Sequence, residues 1–484
     1  MDSYKMFIDG QAVDAVSGKT MTVVDPGTGE AFAQVPLSDE RDVDAAGKAA
    51  RRAFDSGIWS AKSPQERADI VIRFADLIEA NSGAMAVADS RSNGSPVAWV
   101  GGGLWVATNT LRNLAWYAAN KFVWQEDVPV SGSVYAFGSK QIRREAIGVC
   151  AAIAPWTVPH MMALWKIAHA LVTGNTVVLK PASTTPLSAL IIGSLANQAG
   201  IPPGVINIVT GYGETAGKAL VDHPEVDKIA FTGSTVVGKQ ILAGCAGNLK
   251  RVTLELGGKS PVFIFPDADL GLATEAAARG IFMNSGQVCA AGSRLFVHEK
   301  LHDKVVQGVI DHARKIKVGP GVDPTNAMGP LVSAEQRRRV MSYIESGAGE
   351  GAQVLTGGHA LDGAGYFVEP TVLGNTTASM RVRREEIFGP VLCAMSFGDA
   401  DIDALARLGN DTDYGLSAAI YTRDLSAAHK LARRLKAGTV RINFVGGVDP
   451  AMPLGGFKQS GWGRENGREG TLMYTEIKAV SVGL

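Results

Sequence analysis

The sequence predicts an α/β protein: two parallel-sheet domains plus a small separate sheet. Strand-like apolar runs alternate with helical runs from Gly148 to Cys245, the pattern of βαβ units. A second alternation of the same kind begins at Pro261. Two strand-like segments, 128–146 and 471–484, stand apart from both series and suit a small peripheral sheet for subunit contact. The length of 484 residues agrees, since it exceeds what one ordinary core serves. The expected division is 1–127 with 147–257 as one domain, 258–470 as the second, and 128–146 with 471–484 as the oligomerisation segments.

Taken in order, residues 6–37 read as short strands joined by the turn at Asp25–Glu30. Helical spacing follows over 42–54 and 64–79, with Ala68, Ile70, Val71, Phe74, Leu77 and Ile78 on one stripe, and again over 105–119. The first α/β series has strands at 148–153, 176–180, 205–209 and 228–231. Its helices lie at 160–171, 185–198, 214–221 and 235–245. The second has strands at 261–265, 295–297, 371–372, 417–421 and 438–443, with helices at 270–282, 301–316, 334–347, 402–408 and 425–435. Residues 384–391 read as a charged entry into a Gly–Pro turn, and Pro453–Arg464 as a Gly-rich loop whose length implies function or an interface.

Composition narrows the function. Formal net charge is 0 with 19% charged residues, so there is no electrostatic footprint for nucleic acid or an anionic membrane. No run of eighteen apolar residues predicts a membrane span, and Met1–Gly10 lacks the pattern of a signal peptide. The four cysteines, Cys150, Cys245, Cys289 and Cys393, lie far apart without CxxC spacing. A disulfide framework and a thiolate metal site are not expected, and a reducing cytoplasm fits best.

The chemistry-bearing stretch is Gly280–Arg294. Cys289 sits there between a helical and a strand-like run, flanked by Gly286, Gly292 and small residues that leave room for a substrate and for amides aimed at the thiol. Glu255, a single acid in Leu254–Lys259, is placed where burial raises a carboxyl enough to act as a base. Phe231–Gly238 reads as a strand, a Gly turn and a helix start. Gly233 and Ser234 there suit either a phosphate at a helix N-terminus or a plain helix cap. Lys180, at another strand end, sits where ligands of such sheets bind.

Several motifs occur together: Pro155–Trp156, Lys180–Pro181, Phe231–Thr235, Leu254–Lys259, Gly286–Cys289, Glu385–Val391, Gly438–Asn443 and Pro453–Glu465. In this order they resemble the NAD(P)-dependent aldehyde dehydrogenase superfamily across nearly the whole chain. The resemblance implies an aldehyde-dehydrogenase-like fold with a nucleotide domain, a catalytic domain and a bridging sheet that builds a homodimer or homotetramer. It implies Cys289 as nucleophile, Glu255 as general base, and cofactor contacts from Trp156, Lys180, Gly233, Ser234, Glu386 and Phe388. Aldehyde would add to Cys289 as a thiohemiacetal, lose hydride to NAD or NADP, and leave a thioester that water activated by Glu255 hydrolyses. No metal is required.

Two positions depart from the family pattern. Thr157 stands where the family carries an Asn that helps hold the oxyanion; loss of such a donor costs roughly 3–4 kcal/mol elsewhere. Ser183 stands where NAD-preferring members carry a Glu that repels a 2′-phosphate, which makes NADP use plausible beside NAD. By the same resemblance the substrate passage is lined by Val158, Met161, Met162, Trp165, Met283, Val288 and Leu454. That apolar set favours an aromatic, terpenoid or medium-chain aldehyde. A CoA-acylating semialdehyde dehydrogenase and a weakly active or non-catalytic paralogue are the alternatives.

Overall fold

The computed structural model describes residues 1–129, 138–444 and 447–483. Residues 130–137 of the segment expected at 128–146, and Leu484, lie outside the described residues.

The first alternating series builds a sheet whose parallel core runs Arg251–Glu255, Lys228–Thr232, Val149–Ile153, Thr176–Lys180 and Ile206–Ile208. Apart from Arg251 and Val252 these strands are buried, because helices cover both faces. Met6–Ile8 and Gln11–Val13 extend the sheet antiparallel beyond Ile206–Ile208. At the other edge Gly461–Trp462, from the Gly-rich loop, pairs antiparallel with Leu254–Glu255. The covering helices begin where the sequence supplies caps: Asp39 with Asp42, and Ser63 with Glu66, form reciprocal capping boxes. Helix Pro159–Val172 has Pro at its first turn and no exposed face, so its apolar sequence reads all round rather than as a stripe.

The second series builds a sheet in the order Gln353–Thr356, Thr371–Gly374, Val391–Phe397, Arg294–His298, Pro261–Ile264, Ser417–Tyr421 and Thr439–Ile442. All its pairings are parallel except the first. The third small sheet forms as expected, Thr475–Val482 lying antiparallel on Ser139–Ala146. Gln125–Asp127 adds a strand to it from within the stretch assigned to the first domain.

Some elements differ from expectation. Val391–Phe397 is a buried strand inside the second sheet, not the end of a turn. Buried on nearly every residue, it shows no two-residue alternation to mark it. The helix expected at 105–119 starts at Val97, and Ser82–Asn93 forms a helix of its own. Gly101–Gly103 interrupts the apolar stripe, but packing against the neighbouring helices overrides their weak propensity. Residues 213–217 wind as a π-turn before an α-helix at Lys218–Asp222.

Candidate active site

The two large sheets contribute to the site with opposite polarity. The first presents the carboxyl ends of its strands: Trp156 and Thr157 follow Val149–Ile153, Lys180 ends Thr176–Lys180, Gly233 and Ser234 follow Lys228–Thr232, and Glu255 ends Arg251–Glu255. The second presents segments that precede its strands: Gly257 and Gly258 before Pro261, Cys289 before Arg294, and Glu386 and Phe388 before Val391. Gly258 is where the segment leaving Glu255 meets the Cys289 loop. A Cβ there would strike the Cys289 carbonyl oxygen and crowd Leu416. Gly257 lies equally close to the Glu386 carboxylate, so only glycines let the loop pass between them.

Cys289 is half-buried, while the other three cysteines are buried. Its own amide and that of Ala290 point at the sulfur, but burial and the nearby Glu386 and Glu255 carboxylates push the thiol up to about 12. The loop before it is held in an uncommon conformation: Asn284 and Ser285 both have positive φ, 51° and 55°. Hydrogen bonds fix it there. Ser285 Oγ donates to the Gly329 carbonyl at 2.7 Å, and Val332 N–H donates to Gln287 Oε1 at 2.9 Å. Asn284 Nδ2 donates to the carbonyls of Thr157, 3.1 Å, and Gln287, 3.2 Å.

Thr157 is held by its backbone. Its carbonyl accepts from Asn284 and from Asn93 Nδ2 at 3.2 Å, and its hydroxyl engages no partner among the described residues. Asn93 and Asn284 were not evident from sequence. Each lies far from Thr157 along the chain, and a lone Asn in a helix or turn carries no periodic signal.

Glu255 is buried, its Oε1 has no hydrogen-bond partner among the described residues, and Gly455 lies against it. Burial first, and then the charge of Glu465, raise its carboxyl well above the usual range; Lys166 and Arg464 oppose this. Lys166 and Glu465 form a fully buried ion pair, and Lys166 Nζ also donates to Thr232 Oγ1 at 2.9 Å. Removing one member of such a pair strands a buried charge, at a cost of about 3–5 kcal/mol. Neither residue was singled out from sequence, although a lysine inside the apolar run Ala163–Ala168 was the available signal.

Among the other strand-end residues, Lys180 is buried and donates to the Pro181 and Gly211 carbonyls, both at 2.9 Å. Desolvation lowers it to about 8, opposed by Glu214, an acid that sequence reasoning did not pick out. Ser234 caps helix Thr235–Gly244, accepting from Val237 N–H at 3.3 Å; among the described residues the Thr235 and Val236 amides have no partner. Ser183 is half-buried near Lys180 in sequence. Glu386 accepts from Gly258 N–H at 2.8 Å, and burial raises it to about 7. The rings of Trp156 and Phe388 meet edge to face with centroids 5.3 Å apart, joining the two halves. Val288 lines a small cavity with Gly258, Glu386 and Phe388. Met161 and Met162 pack on the first core, Trp165 is buried, Val158 and Leu454 are half-buried, and Met283 is exposed.

The model of the aldehyde dehydrogenase family matches residues 13–480. The chain belongs to that family. It is 46% identical over 482 residues to an aldehyde dehydrogenase of Enchytraeus buchholzi, covering 99% of this chain and 95% of that one. It is 44% identical over 483 residues to retinal dehydrogenase 2 of Homo sapiens, covering 99% and 91%. The NAD+ complex of an aldehyde dehydrogenase from Bacillus cereus superposes with a TM-score of 0.96 at 42% identity, covering 100% and 97%. No helix among the described residues is long and apolar enough to cross a membrane.

Proposed function

We propose that the protein oxidises a hydrophobic aldehyde to its carboxylate, with Cys289 as nucleophile and Glu255 as the base for hydrolysis. The observation that carries this reading is that the segment leaving the Glu255 strand end runs directly against Cys289: Gly258, three residues on, abuts the Cys289 carbonyl. Cys289 sulfur, toward which the amides of Cys289 and Ala290 are turned, attacks the aldehyde carbon. Glu255, whose neutral form burial favours, takes a proton from water when ionised, with Lys166 and Arg464 favouring its charged form.

The donor set suits NAD or NADP. Lys180 and the amides following Ser234 line the anionic half of such a ligand, and Glu386 on its glycine cradle, Trp156 and Phe388 line the other. When bound, the nicotinamide supplies the hydride acceptor. Val158, Met161, Met162, Trp165, Met283, Val288 and Leu454 give the substrate side its apolar character. Assembly as a homodimer or homotetramer is supported by the open edge of the small sheet and by the exposed apolar residues Val236, Val237 and Leu242 on one helix.

Purified protein is mixed with NAD or NADP and a panel of aromatic, terpenoid, medium-chain and carboxylate-bearing aldehydes, and reduced cofactor is followed by absorbance. Turnover is expected with the apolar members. Glu255→Gln should keep a first rapid turnover and slow the steady state roughly 10²-fold or more. Absence of turnover with every aldehyde and both cofactors overturns the proposal. Preference for the carboxylate-bearing aldehydes overturns its substrate class.

A further inference from the structure

A closed ring of hydrogen bonds ties the Cys289 loop to the segment that carries Thr157. Helix Ser82–Asn93 ends at Gly94, left-handed at φ 86°, and the chain turns there so that Ser95 N–H donates to Asn93 Oδ1 at 2.8 Å. Asn93 Nδ2 donates to the Thr157 carbonyl at 3.2 Å. The same carbonyl accepts from Asn284 Nδ2 at 3.1 Å, and Asn284 Oδ1 accepts from Ser95 Oγ, which closes the ring. Asn93, Ser95 and Asn284 are all buried.

The partners fix every role. The Thr157 carbonyl can only accept, so both amides turn their nitrogens to it. Both amide oxygens then face Ser95, which supplies the two donors, its N–H and its hydroxyl. Loss of one donor leaves a buried polar atom unpaired. One turn earlier on the same helix, Asp89 accepts from His160 N–H at 3.2 Å and pairs with His160 Nδ1 at 2.6 Å, both side chains fully buried. The helix therefore grips residues 157–160 at two points. On its other side the ring reaches toward the nucleophile, because Asn284 Nδ2 also donates to the carbonyl of Gln287, two residues before Cys289. Asn284 and Ser285 have positive φ, a conformation that persists only where surrounding bonds hold it.

We propose that Asn93 and Ser95 are positioning residues for the oxidation: through this ring they hold the Cys289 loop in register with the Thr157 segment. Neither touches the reacting atoms. The proposal deepens the reading of Cys289 as nucleophile and rests on it.

The test compares steady-state kinetics and hydrogen–deuterium exchange, read by mass spectrometry, in the unsubstituted protein and in Ser95→Ala, which removes one link with little change of volume. Ser95→Ala is expected to lower kcat about tenfold or more and to keep KM for the cofactor within about twofold. Its amides over 283–289 should exchange faster, while those of helix Ile402–Asn410 stay unchanged. Ser95→Thr keeps the hydroxyl and should retain at least about a third of kcat. Asn93→Asp, of the same size, turns a carboxylate oxygen to the Thr157 carbonyl and should lose at least as much as Ser95→Ala; it carries the comparison if that variant does not fold. Unchanged kcat and exchange in Ser95→Ala or Asn93→Asp overturn the proposal. So does a Thr variant as slow as the Ala variant, which assigns the loss to packing, or exchange accelerated along the whole chain. The exchange readout needs no turnover. Faster local exchange in a protein that oxidises no aldehyde would leave the hold on the loop standing and remove the proposed reaction. Turnover with kcat and exchange unchanged in the variants would do the reverse.

Discussion

The two sheets contribute to one site in contrasting ways. The first offers strand carboxyl ends, each followed by a turn or a helix start, and its side chains emerge from rigid, buried strands. The second offers loops that precede its strands, and these hold their shape through side-chain bonds and left-handed residues such as Asn284, Ser285 and Phe388. The contrast teaches where precision originates. On the first sheet it follows from the regular ladder, and on the second it is assembled from particular polar contacts. Substitutions on the two sides should therefore fail differently.

The largest expected effect is on the loop side. Cys289→Ala should remove aldehyde oxidation by at least about 10³-fold while leaving cofactor binding, measured by fluorescence titration, within about twofold. Loss of both together would mean that the loop holds the cofactor face in place, and the contrast would break. Next comes Thr157, on the first sheet but bound to the second through Asn284. Thr157→Asn should raise kcat about tenfold or more, since one oxyanion donor is worth 10²–10³ elsewhere. An unchanged rate would show that the backbone donors already suffice.

Ser183→Glu, beyond Lys180 on the first sheet, should lower the NADP-to-NAD ratio of kcat/KM roughly tenfold by placing a carboxylate against a 2′-phosphate. An equal ratio would mean that Glu214, which already acts on Lys180, sets the preference. The smallest effect is one of stability. Glu386 is raised from 4.5 to about 7 in the fold, so its protonated form is favoured there. Its contribution is complete below about pH 4.5 and is lost as pH rises through about 7. Glu386→Gln should flatten the decline in Tm of the cofactor-free protein across that window. A parallel decline in both proteins would assign the pH dependence to other groups.

Legibility in the sequence followed the same division. The strand-end residues Lys180, Gly233, Ser234 and Glu255 stood out because an apolar run ending in a charge or a Gly turn is a local pattern. Cys289 was visible as a thiol among small residues, but its burial between two carboxylates was not, because Glu255 and Glu386 arrive from opposite directions along the chain. The pairing of Lys166 with Glu465, and of Asn93 and Asn284 with Thr157, depends on contacts between distant segments that no local period encodes. Strand Val391–Phe397 was missed for a related reason: a strand buried on both faces has no polar side to reveal its period.

The pairing of Gly461–Trp462 with Leu254–Glu255, together with the nearby Glu465, has a consequence for biosynthesis. A nascent chain that has emerged only as far as its nucleophile carries Lys166 with no counterion and an open edge beside Glu255. Both are satisfied only when the ribosome has delivered residues 461–465. The edge of the first sheet beside Glu255 and the buried Lys166 are therefore completed by a segment made close to the end of synthesis.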